Sequence, residues 1–320
     1  MSDDYPRKDA SKGGGYNGSE EVCRALVPLE DPGIPGKDIV EYERHRIGSL
    51  LLSEGKISSK GVRRVLKAQR RNGHQKFGEL AMHLDLVTER DVQIALCRQF
   101  GYPSIEALEG RLSPDLYMAL APFSRAAELL NKVTAQLLSL SDRSRGVAIA
   151  IVSSDPGEGR SAFAGNLALA FAQSGRRTLL IDGDLRRPRQ HELFGVSNSV
   201  GLSALAADRE AADGELQLVS PTHLFGLSII KSGAAHANPI EILNSERFAG
   251  LVESARADFD AVIIDTPPAC VYADAEAIAA VAKRALIVTR AHSSRIGGVQ
   301  EIMDLANRRR VQVLGAVLGR

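Results

Sequence analysis

The chain has 320 residues, of which 44% are hydrophobic and 25% are charged, and its formal net charge at pH 7 is +1. This length predicts about two domains, and the composition is that of an ordinary globular protein. The near balance of charges leaves no whole-protein field that would attract nucleic acid or a membrane surface, so neither is an expected partner. The three cysteines, Cys23, Cys97 and Cys270, are too widely spaced for a metal or disulfide pattern, which fits a reducing compartment.

Residues 1–45 are predicted to be a disordered tail, because they are rich in Gly, Ser, Asp, Lys and Pro and show no lasting periodicity. They also lack the apolar core of a secretory signal. No stretch of the chain reaches the about 18 uninterrupted apolar residues that cross a bilayer, since Lys283 and Arg284 break the apolar run at 275–289. We therefore expect a cytoplasmic protein that reaches the inner membrane only through a partner.

Residues 46–102 are predicted to form a small all-α domain that contains an internal repeat. Arg46-Ile47-Gly48 opens the first copy and Lys76-Phe77-Gly78 opens the second, and each copy predicts a short helix, a turn and a longer helix. Thr88 and Asp91 form a capping box for the last helix, which Gly101 ends. The other corresponding positions are Leu51, Gly55, Val62, Leu66 and Gln69 in the first copy and Ala81, Asp85, Val92, Leu96 and Gln99 in the second.

This repeat resembles the N-terminal domain of type II secretion and pilus assembly ATPases, the MshEN-like module, some members of which bind cyclic di-GMP. In such a site a guanidinium stacks on guanine and backbone exposed at glycine meets phosphate. The second copy departs from the pattern at Lys76, Ala81 and Asp85, and a helical adaptor whose apolar residues only form its own core is the alternative. The resemblance assigns these residues to cyclic di-GMP: Arg46, Ile47, Gly48, Leu51, Gly55, Gln69, Lys76, Phe77, Gly78 and Gln99.

The remaining chain is predicted to be a linker at 103–125 followed by an α/β domain at 126–320. Short apolar strands alternate with helices there, which indicates a doubly wound, mainly parallel sheet. Ligands of such sheets bind at the carboxyl ends of the strands. The predicted strands are 147–152, 178–182, 227–231, 261–265, 285–289 and 312–318, and the predicted helices include 126–139, 161–173 and 241–257.

A glycine-rich loop follows the first of these strands, in the segment VAIAIVSSDPGEGRS at 147–161. Such a loop lets backbone N–H groups converge on phosphate oxygens at the positive end of the next helix, as in a P-loop. Ser161 stands where a hydroxyl would ligate Mg²⁺, and Arg160 stands where the motif usually has lysine. The predicted nucleotide-binding residues are Pro156, Gly157, Glu158, Gly159, Arg160, Ser161, Ala162 and, from the segment described next, Arg186.

Carboxylates end two further strands, in LLIDGDLRRP at 179–188 and AVIIDTPP at 261–268. Asp182, Asp184 and Asp265 are the hard oxygen ligands that Mg²⁺ prefers, mostly through water. A strand-end aspartate can also do no more than cap a helix. Three such segments in this order within one α/β domain predict a site for ATP and Mg²⁺.

The three motifs resemble those of bacterial tyrosine kinases in the MinD/ParA-like branch of P-loop ATPases, and in particular the EpsG-like chain-length-determinant kinases of exopolysaccharide systems. Segments at 166–195, 200–205 and 238–243 share this resemblance, which covers nearly all of 124–318. It implies that Arg160, Asp182, Asp184 and Asp265 are catalytic, with Asp182 as the base or water-positioning carboxylate. It also implies Mg²⁺ held by Ser161, Asp182, Asp184 and Asp265, and phosphoryl transfer by positioning and charge neutralisation.

The predicted function is an ATP-dependent tyrosine kinase or ATPase that regulates exopolysaccharide polymerisation, chain length or export with a membrane-embedded chain-length determinant. The alternative is a regulatory subunit that senses ATP, and cyclic di-GMP in addition, without phosphorylation. Arg160 and the lack of any tyrosine after Tyr272 favour the alternative, whereas the carboxylates favour hydrolysis. A tyrosine cluster that the kinase would phosphorylate on its own tail is not expected.

Two weaker interpretations concern assembly and DNA. Rings in the kinase family use a helix with a glutamate and two arginines, but Asn131 and Thr134 follow Glu128 here, so helix 126–139 is expected to be a packing surface and a homo-oligomer stays open. A ParA-type partitioning ATPase would need a basic DNA-binding surface. The basic clusters at 63–64, 70–71 and 308–310 are more simply solvated helix faces.

Overall fold

The computed structural model describes residues 47–71, 75–139, 146–206 and 218–319, all of which belong to one compact unit. The predicted tail at 1–45 and Arg46 lie outside the described residues. The helices are α1 (Ile47–Ser53), α2 (Ser59–Arg71), α3 (Phe77–His83), α4 (Glu89–Gln99), α5 (Ile105–Leu108), α6 (Tyr117–Leu120), α7 (Arg125–Ser139), α8 (Arg160–Gln173), α9 (Gln190–Leu193), α10 (Pro239–Leu243), α11 (Glu246–Asp258), α12 (Asp274–Ala282) and α13 (Ile296–Arg309), with a 3₁₀ helix at Leu202–Ala206. The strands are β1 (Val147–Val152), β2 (Thr178–Asp182), β3 (Val219–Pro221), β4 (Leu227–Ile230), β5 (Ala261–Asp265), β6 (Arg284–Arg290) and β7 (Gln312–Gly319).

The two sequence copies in the N-terminal helical region have the same backbone. Lys56 N donates to Leu51 O at 2.9 Å in the first copy, and the corresponding Leu86 N donates to Ala81 O at 3.0 Å in the second. Gly55 and Asp85 both adopt the left-handed conformation, with φ of 71° and 53°. Since aspartate tolerates this region better than most residues with a side chain, the second copy keeps the turn without its glycine.

Glycine allows close packing where the two copies meet. A Cβ on Gly48 would lie 3.1 Å from the ring of Phe77, and one on Gly78 would lie 3.0 Å from Val92 and 3.5 Å from Ile47. The opening Ile-Gly and Phe-Gly pairs therefore pack reciprocally, each glycine beneath the apolar residue of the other copy. The predicted capping box of α4 is present, with Thr88 Oγ1 accepting from Asp91 N at 3.2 Å.

The predicted linker at 103–125 contains the one-turn helices α5 and α6 and packs against the P-loop helix α8. Asn166 Oδ1 accepts from Met118 N at 2.9 Å, and Gln173 Nε2 donates to Met118 O at 2.6 Å. Leu116 and Met118 are fully buried beneath these bonds. The apolar residues between its prolines fix the segment in place.

A seven-stranded sheet in the order β3-β4-β2-β5-β1-β6-β7 forms the rest of the structure and confirms the predicted α/β class. All neighbouring strands are parallel except β3 and β4. The helices α7 and α8 cover one face and α10 to α13 cover the other, so β1, β2 and β5 are buried on both sides. α7 contributes Ala127, Leu130 and Leu137 to this core, as expected of a packing helix.

Two differences from the predicted elements change the fold, and the other predicted strands and helices differ by at most one residue at an end. The antiparallel edge strand β3 was not predicted, because three residues ending in Pro221 carry no periodic signal. The single helix predicted at 241–257 is two helices, α10 and α11, because Ser245 accepts a hydrogen bond from Phe248 N and caps a new helix. Strands β1, β2 and β5, which lead to the predicted site, have the predicted bounds.

Candidate nucleotide site

The loop from β1 to α8 has the backbone of a phosphate-binding loop. Gly157 and Gly159 adopt left-handed conformations with φ of 83° and 82°, which residues with a Cβ rarely reach. Pro156, Gly157 and Gly159 are exposed, and α8 begins directly afterwards at Arg160. A 14-residue helix therefore presents its N-terminal N–H groups beside an open glycine loop, which is the arrangement that binds anions.

Glu158 lies in this loop but its carboxylate stabilises the loop itself. It accepts from Asp155 N at 2.9 Å and from Ser154 Oγ at 3.2 Å, and it contacts the hydroxyl of Ser294. Arg295 also pairs with Asp155 at 2.9 Å, so the residues before α13 hold the loop from outside. The predicted role of Glu158 in phosphate binding therefore rests on its main chain.

The three predicted carboxylates meet at the carboxyl end of the sheet. Asp182 and Asp265 are directly in register on β2 and β5, and both are fully buried. Asp184 is also buried and accepts from Arg187 N at 2.9 Å. Burial and the neighbouring charge of Asp265 raise the pKa of Asp182 well above its usual value, and burial raises the pKa of Asp184.

Arg160, which replaces the usual lysine, is paired with these carboxylates. Its Nη2 lies 3.3 Å from Asp184 Oδ2 and its Nε lies 3.4 Å from Asp265 Oδ1, while Nη1 donates to Ser153 Oγ at 2.7 Å. Only 8% of the side chain is exposed. One guanidinium thus contacts a carboxylate that follows β2 and another at the end of β5. A lysine ammonium lacks the planar, divergent N–H donors that make this possible.

The residues fit a further cation. Asp184 and Asp265 share one buried guanidinium, Asp182 is buried beside Asp265, and Asp182 Oδ1 has no hydrogen-bond partner among the described residues. Within the described ranges no group of three or more His, Cys, Asp or Glu is placed to hold a metal directly. The assignment of Mg²⁺ to Ser161, Asp182, Asp184 and Asp265, largely through water and with nucleotide phosphates completing its ligands, stays a prediction.

Arg186, which was predicted to bind nucleotide, forms an ion pair in the structure. Its guanidinium pairs with Asp274 at 2.6 Å and 3.1 Å and lies 4.4 Å above the ring of Tyr272. It therefore ties the segment after β2 to the start of α12. The sequence analysis did not identify Asp274, because a lone aspartate at the start of a helix is common.

Gln190 is the site residue that the sequence analysis missed. It is fully buried, and it contacts Ser161, Asp182 and Asp265. A glutamine at the start of a short helix carries no motif. Only the fold brings this side chain between the two strand ends.

A second candidate site lies in the helical region, where a cavity of about 470 Å³ opens between the two copies. Its described lining includes the predicted residues Ile47, Gly48, Gln69, Phe77 and Gln99. Gln99 Oε1 is buried without a hydrogen-bond partner in the described chain. The lining does not include Leu51, Gly55, Lys76 or Gly78, of which Leu51 and Gly78 are buried in the core of the region.

No helix in the described ranges is both long enough and apolar enough to cross a membrane.

Comparison with known proteins agrees with the geometry of the P-loop site. The model of the ParA family, described as NUBPL iron-transfer P-loop NTPase, matches residues 146–318, more than half of the chain. The tyrosine-protein kinase YwqD of Bacillus subtilis (strain 168) is 34% identical over 170 residues, which cover 53% of this chain and 70% of YwqD.

Solved structures give the same result. The chimerical protein CapA2B2 is similar with a TM-score of 0.59 and 30% identity, over 73% of this chain and 99% of that chain. The kinase domain of the Escherichia coli tyrosine kinase ETK is similar with a TM-score of 0.59 and 29% identity, over 63% of this chain and 78% of that one. With the glycine loop and the strand-end carboxylates in place, these matches show that the chain belongs to the ParA family of P-loop NTPases and, within it, to the bacterial tyrosine kinases.

Proposed function

We propose that this chain is an ATP-dependent protein-tyrosine kinase that controls exopolysaccharide polymerisation, chain length or export at the cytoplasmic face of the inner membrane. The observation that carries the proposal is the meeting of Asp182, Asp184 and Asp265 at the start of the P-loop helix, where Arg160 pairs with the last two. A membrane-embedded chain-length determinant is the proposed partner, as the resemblance to exopolysaccharide kinases implies.

The phosphates of ATP would bind to the loop at 156–162, whose exposed glycines leave the backbone accessible. Ser161 would supply its hydroxyl to Mg²⁺, and Asp184 and Asp265 would orient the waters of the ion. When bound, Mg²⁺ would neutralise the negative charge of the phosphates. Arg160 would move from the carboxylates to the phosphates or remain shared between them, since a single guanidinium can contact both.

Asp182 would receive the proton of the attacking hydroxyl at Oδ1. Its other oxygen, Oδ2, already accepts from Gln190 N at 2.9 Å. Burial raises the pKa of Asp182, and a base with a raised pKa holds a proton more firmly than an ordinary carboxylate. Catalysis would then consist of positioning, charge neutralisation and one proton transfer.

The test is incubation with γ-labelled ATP and Mg²⁺, with and without the cytosolic segment of the membrane partner, with free phosphate and protein-bound label measured in the same samples. Label on tyrosine of either protein is the expected result. Phosphate release without label would replace the kinase by an ATPase switch. ATP binding with neither would contradict both reactions and leave the regulatory subunit that senses ATP.

A second function, binding of cyclic di-GMP, is proposed for the helical region. It is supported by the unpartnered Gln99 Oε1 in a cavity between two glycine-opened copies, since a guanine edge offers the donors that this oxygen lacks. Calorimetry with cyclic di-GMP should show binding by the native chain. The affinity should fall at least tenfold in Gln99→Leu and in Arg46→Ala. Cyclic di-AMP is the control ligand, and absence of heat from the native chain would reject the proposal.

A further inference from the structure

Gln190 joins the three segments that form the P-loop site. Its main-chain N–H donates to Asp182 Oδ2 at 2.9 Å, and its side-chain Nε2 donates to Asp265 Oδ2 at 2.9 Å and to Ser161 O at 3.0 Å. One residue thus contacts the loop helix, the end of β2 and the end of β5. Since Gln190 is fully buried, water does not compete for these bonds.

The surrounding structure leaves space for this amide. A Cβ on Gly165 would lie 3.3 Å from Gln190 Oε1 and 2.9 Å from Leu116, so glycine at this position of α8 allows the glutamine to enter. Burying a carboxamide is costly unless its donors are used, and Nε2 here donates to one carboxylate oxygen, of Asp265, and to the main-chain oxygen of Ser161. The chain therefore retains a buried polar side chain at a position where an apolar one would pack.

The contacts determine which carboxylate oxygens remain available. Asp182 and Asp265 lie side by side on adjacent strands, and Gln190 occupies Oδ2 of each. Asp182 Oδ1 is left without a partner among the described residues, and Asp265 Oδ1 accepts from Thr266 N at 3.0 Å and lies 3.4 Å from Arg160 Nε. Without the side-chain amide, Asp265 Oδ2 would lose its donor, whereas Asp182 Oδ2 would keep the bond from the main-chain N–H.

We propose that Gln190 is a positioning residue for the metal-dependent reaction of this site. Its side-chain amide fixes Asp265 relative to Ser161, and its main-chain N–H holds Asp182, so the groups that would hold Mg²⁺ and accept the proton are set before nucleotide binds. The proposal rests on the proposed nucleotide–Mg²⁺ site, and it assigns no contact between Gln190 and the nucleotide.

Gln190→Met tests this role, with Gln173→Met as the matched control. Gln173 also donates from Nε2 to a main-chain oxygen, that of Met118, but at the far end of α8. Two properties are measured in both variants and in the native chain: the affinity for ADP by calorimetry with Mg²⁺ and with EDTA, and the dependence of ATP turnover on Mg²⁺. Circular dichroism and the melting temperature establish that each variant is folded.

In Gln190→Met we expect the gain in ADP affinity on adding Mg²⁺ to fall about tenfold, because partners that orient metal ligands commonly contribute at least this much. The Mg²⁺ concentration for half-maximal turnover should rise by about the same factor, with kcat reduced and KM for ATP at saturating Mg²⁺ little changed. Gln173→Met should lower the melting temperature but leave the Mg²⁺ dependence as in the native chain.

Equal Mg²⁺ dependence in Gln190→Met and Gln173→Met would overturn the proposal and reduce Gln190 to a packing residue. If Gln190→Met does not fold, Gln190→Asn, which keeps an amide one methylene shorter, is judged by the same measurements. A native chain that binds ADP with help from Mg²⁺ but transfers no phosphoryl group would contradict the proposed kinase and leave the Gln190 test intact. ADP binding that Mg²⁺ does not improve would overturn both.

Discussion

The P-loop site and the cavity of the helical region differ in the polar groups that they contain. At the P-loop, carboxylates stand at the ends of adjacent parallel strands and are paired with Arg160 and Gln190 from neighbouring helices. The cavity is walled mainly by apolar side chains, and its buried polar atom without a partner, Gln99 Oε1, belongs to a helix end. The first site is therefore a charged network in which Arg160 Nε, Asp182 Oδ1 and Gln190 Oε1 still lack hydrogen-bond partners among the described residues, whereas the second is an apolar cavity with one such atom.

This difference indicates how each site should respond to change. Removing one member of a buried charge network leaves the others uncompensated, so effects on stability and activity should be large and coupled. Changes in the cavity should alter ligand binding with little effect on the sheet.

The largest expected effect is that of Asp182→Ala combined with Asp265→Ala. These residues are assigned to proton acceptance and to Mg²⁺, so Mg²⁺-dependent ATP turnover should fall by at least about a hundredfold, as for loss of a main charge-stabilising group. Phosphate release measured on the purified variant checks this, and cyclic di-GMP binding measured on the same sample should be unchanged. Turnover at the native rate would contradict the site assignment.

Arg160→Ala should have the largest effect on stability. It leaves Asp184 and Asp265 buried without their cation, which commonly costs about 3–5 kcal/mol. Because Mg²⁺ can then compensate the same carboxylates, added Mg²⁺ should raise the melting temperature of the variant more than that of the native chain.

Arg160→Lys should lose less stability, and a rise in its ATP turnover would show that the native arginine slows the reaction. An Arg160→Ala variant as stable as the native chain would show that the ion pairs contribute nothing.

The pH dependence of stability should show the raised pKa of Asp182. The pKa of Asp182 is raised in the folded chain. Its contribution to the free energy of unfolding is therefore most favourable below its pKa in the unfolded chain and is lost as pH rises through its pKa in the folded chain. Asp182→Asn should therefore melt at a higher temperature than the native chain at pH 8, by about 2–4 °C for each kcal/mol recovered. The difference should vanish near pH 4, and a difference that grows on acidification would contradict the assignment.

The sequence carried enough information for the parallel strands of the sheet but not for the contacts between the predicted site residues. Strands β1, β2 and β5 are runs of mainly apolar residues, and β2 and β5 end in aspartate, so the pattern predicted their bounds and placed Asp182 and Asp265 at one edge of the sheet. The pairing of Arg160 with Asp184 and Asp265 was not predicted, because it depends on rotamers and burial that no local pattern encodes. Gln190 was missed for the same reason, and β3 because pairing with β4, not its own sequence, makes it a strand.

The smallest expected effect compares the two copies of the repeat directly. Asp85 adopts φ of 53°, where the first copy has Gly55 at 71°. Asp85→Gly should stabilise the chain by about 0.5–1 kcal/mol, because glycine adopts this conformation without the steric cost of a Cβ. Gly55→Ala, whose added Cβ would meet no atom within 4 Å, is the opposite change and should destabilise by a similar amount through backbone strain alone. Urea unfolding of both variants measures this, and equal stabilities would show that the two turns do not carry the strain that their φ angles imply.

If the cavity binds cyclic di-GMP, Asp85→Gly should also tighten binding by removing a negative charge from the second copy, whereas an unchanged affinity would place the phosphates away from that turn.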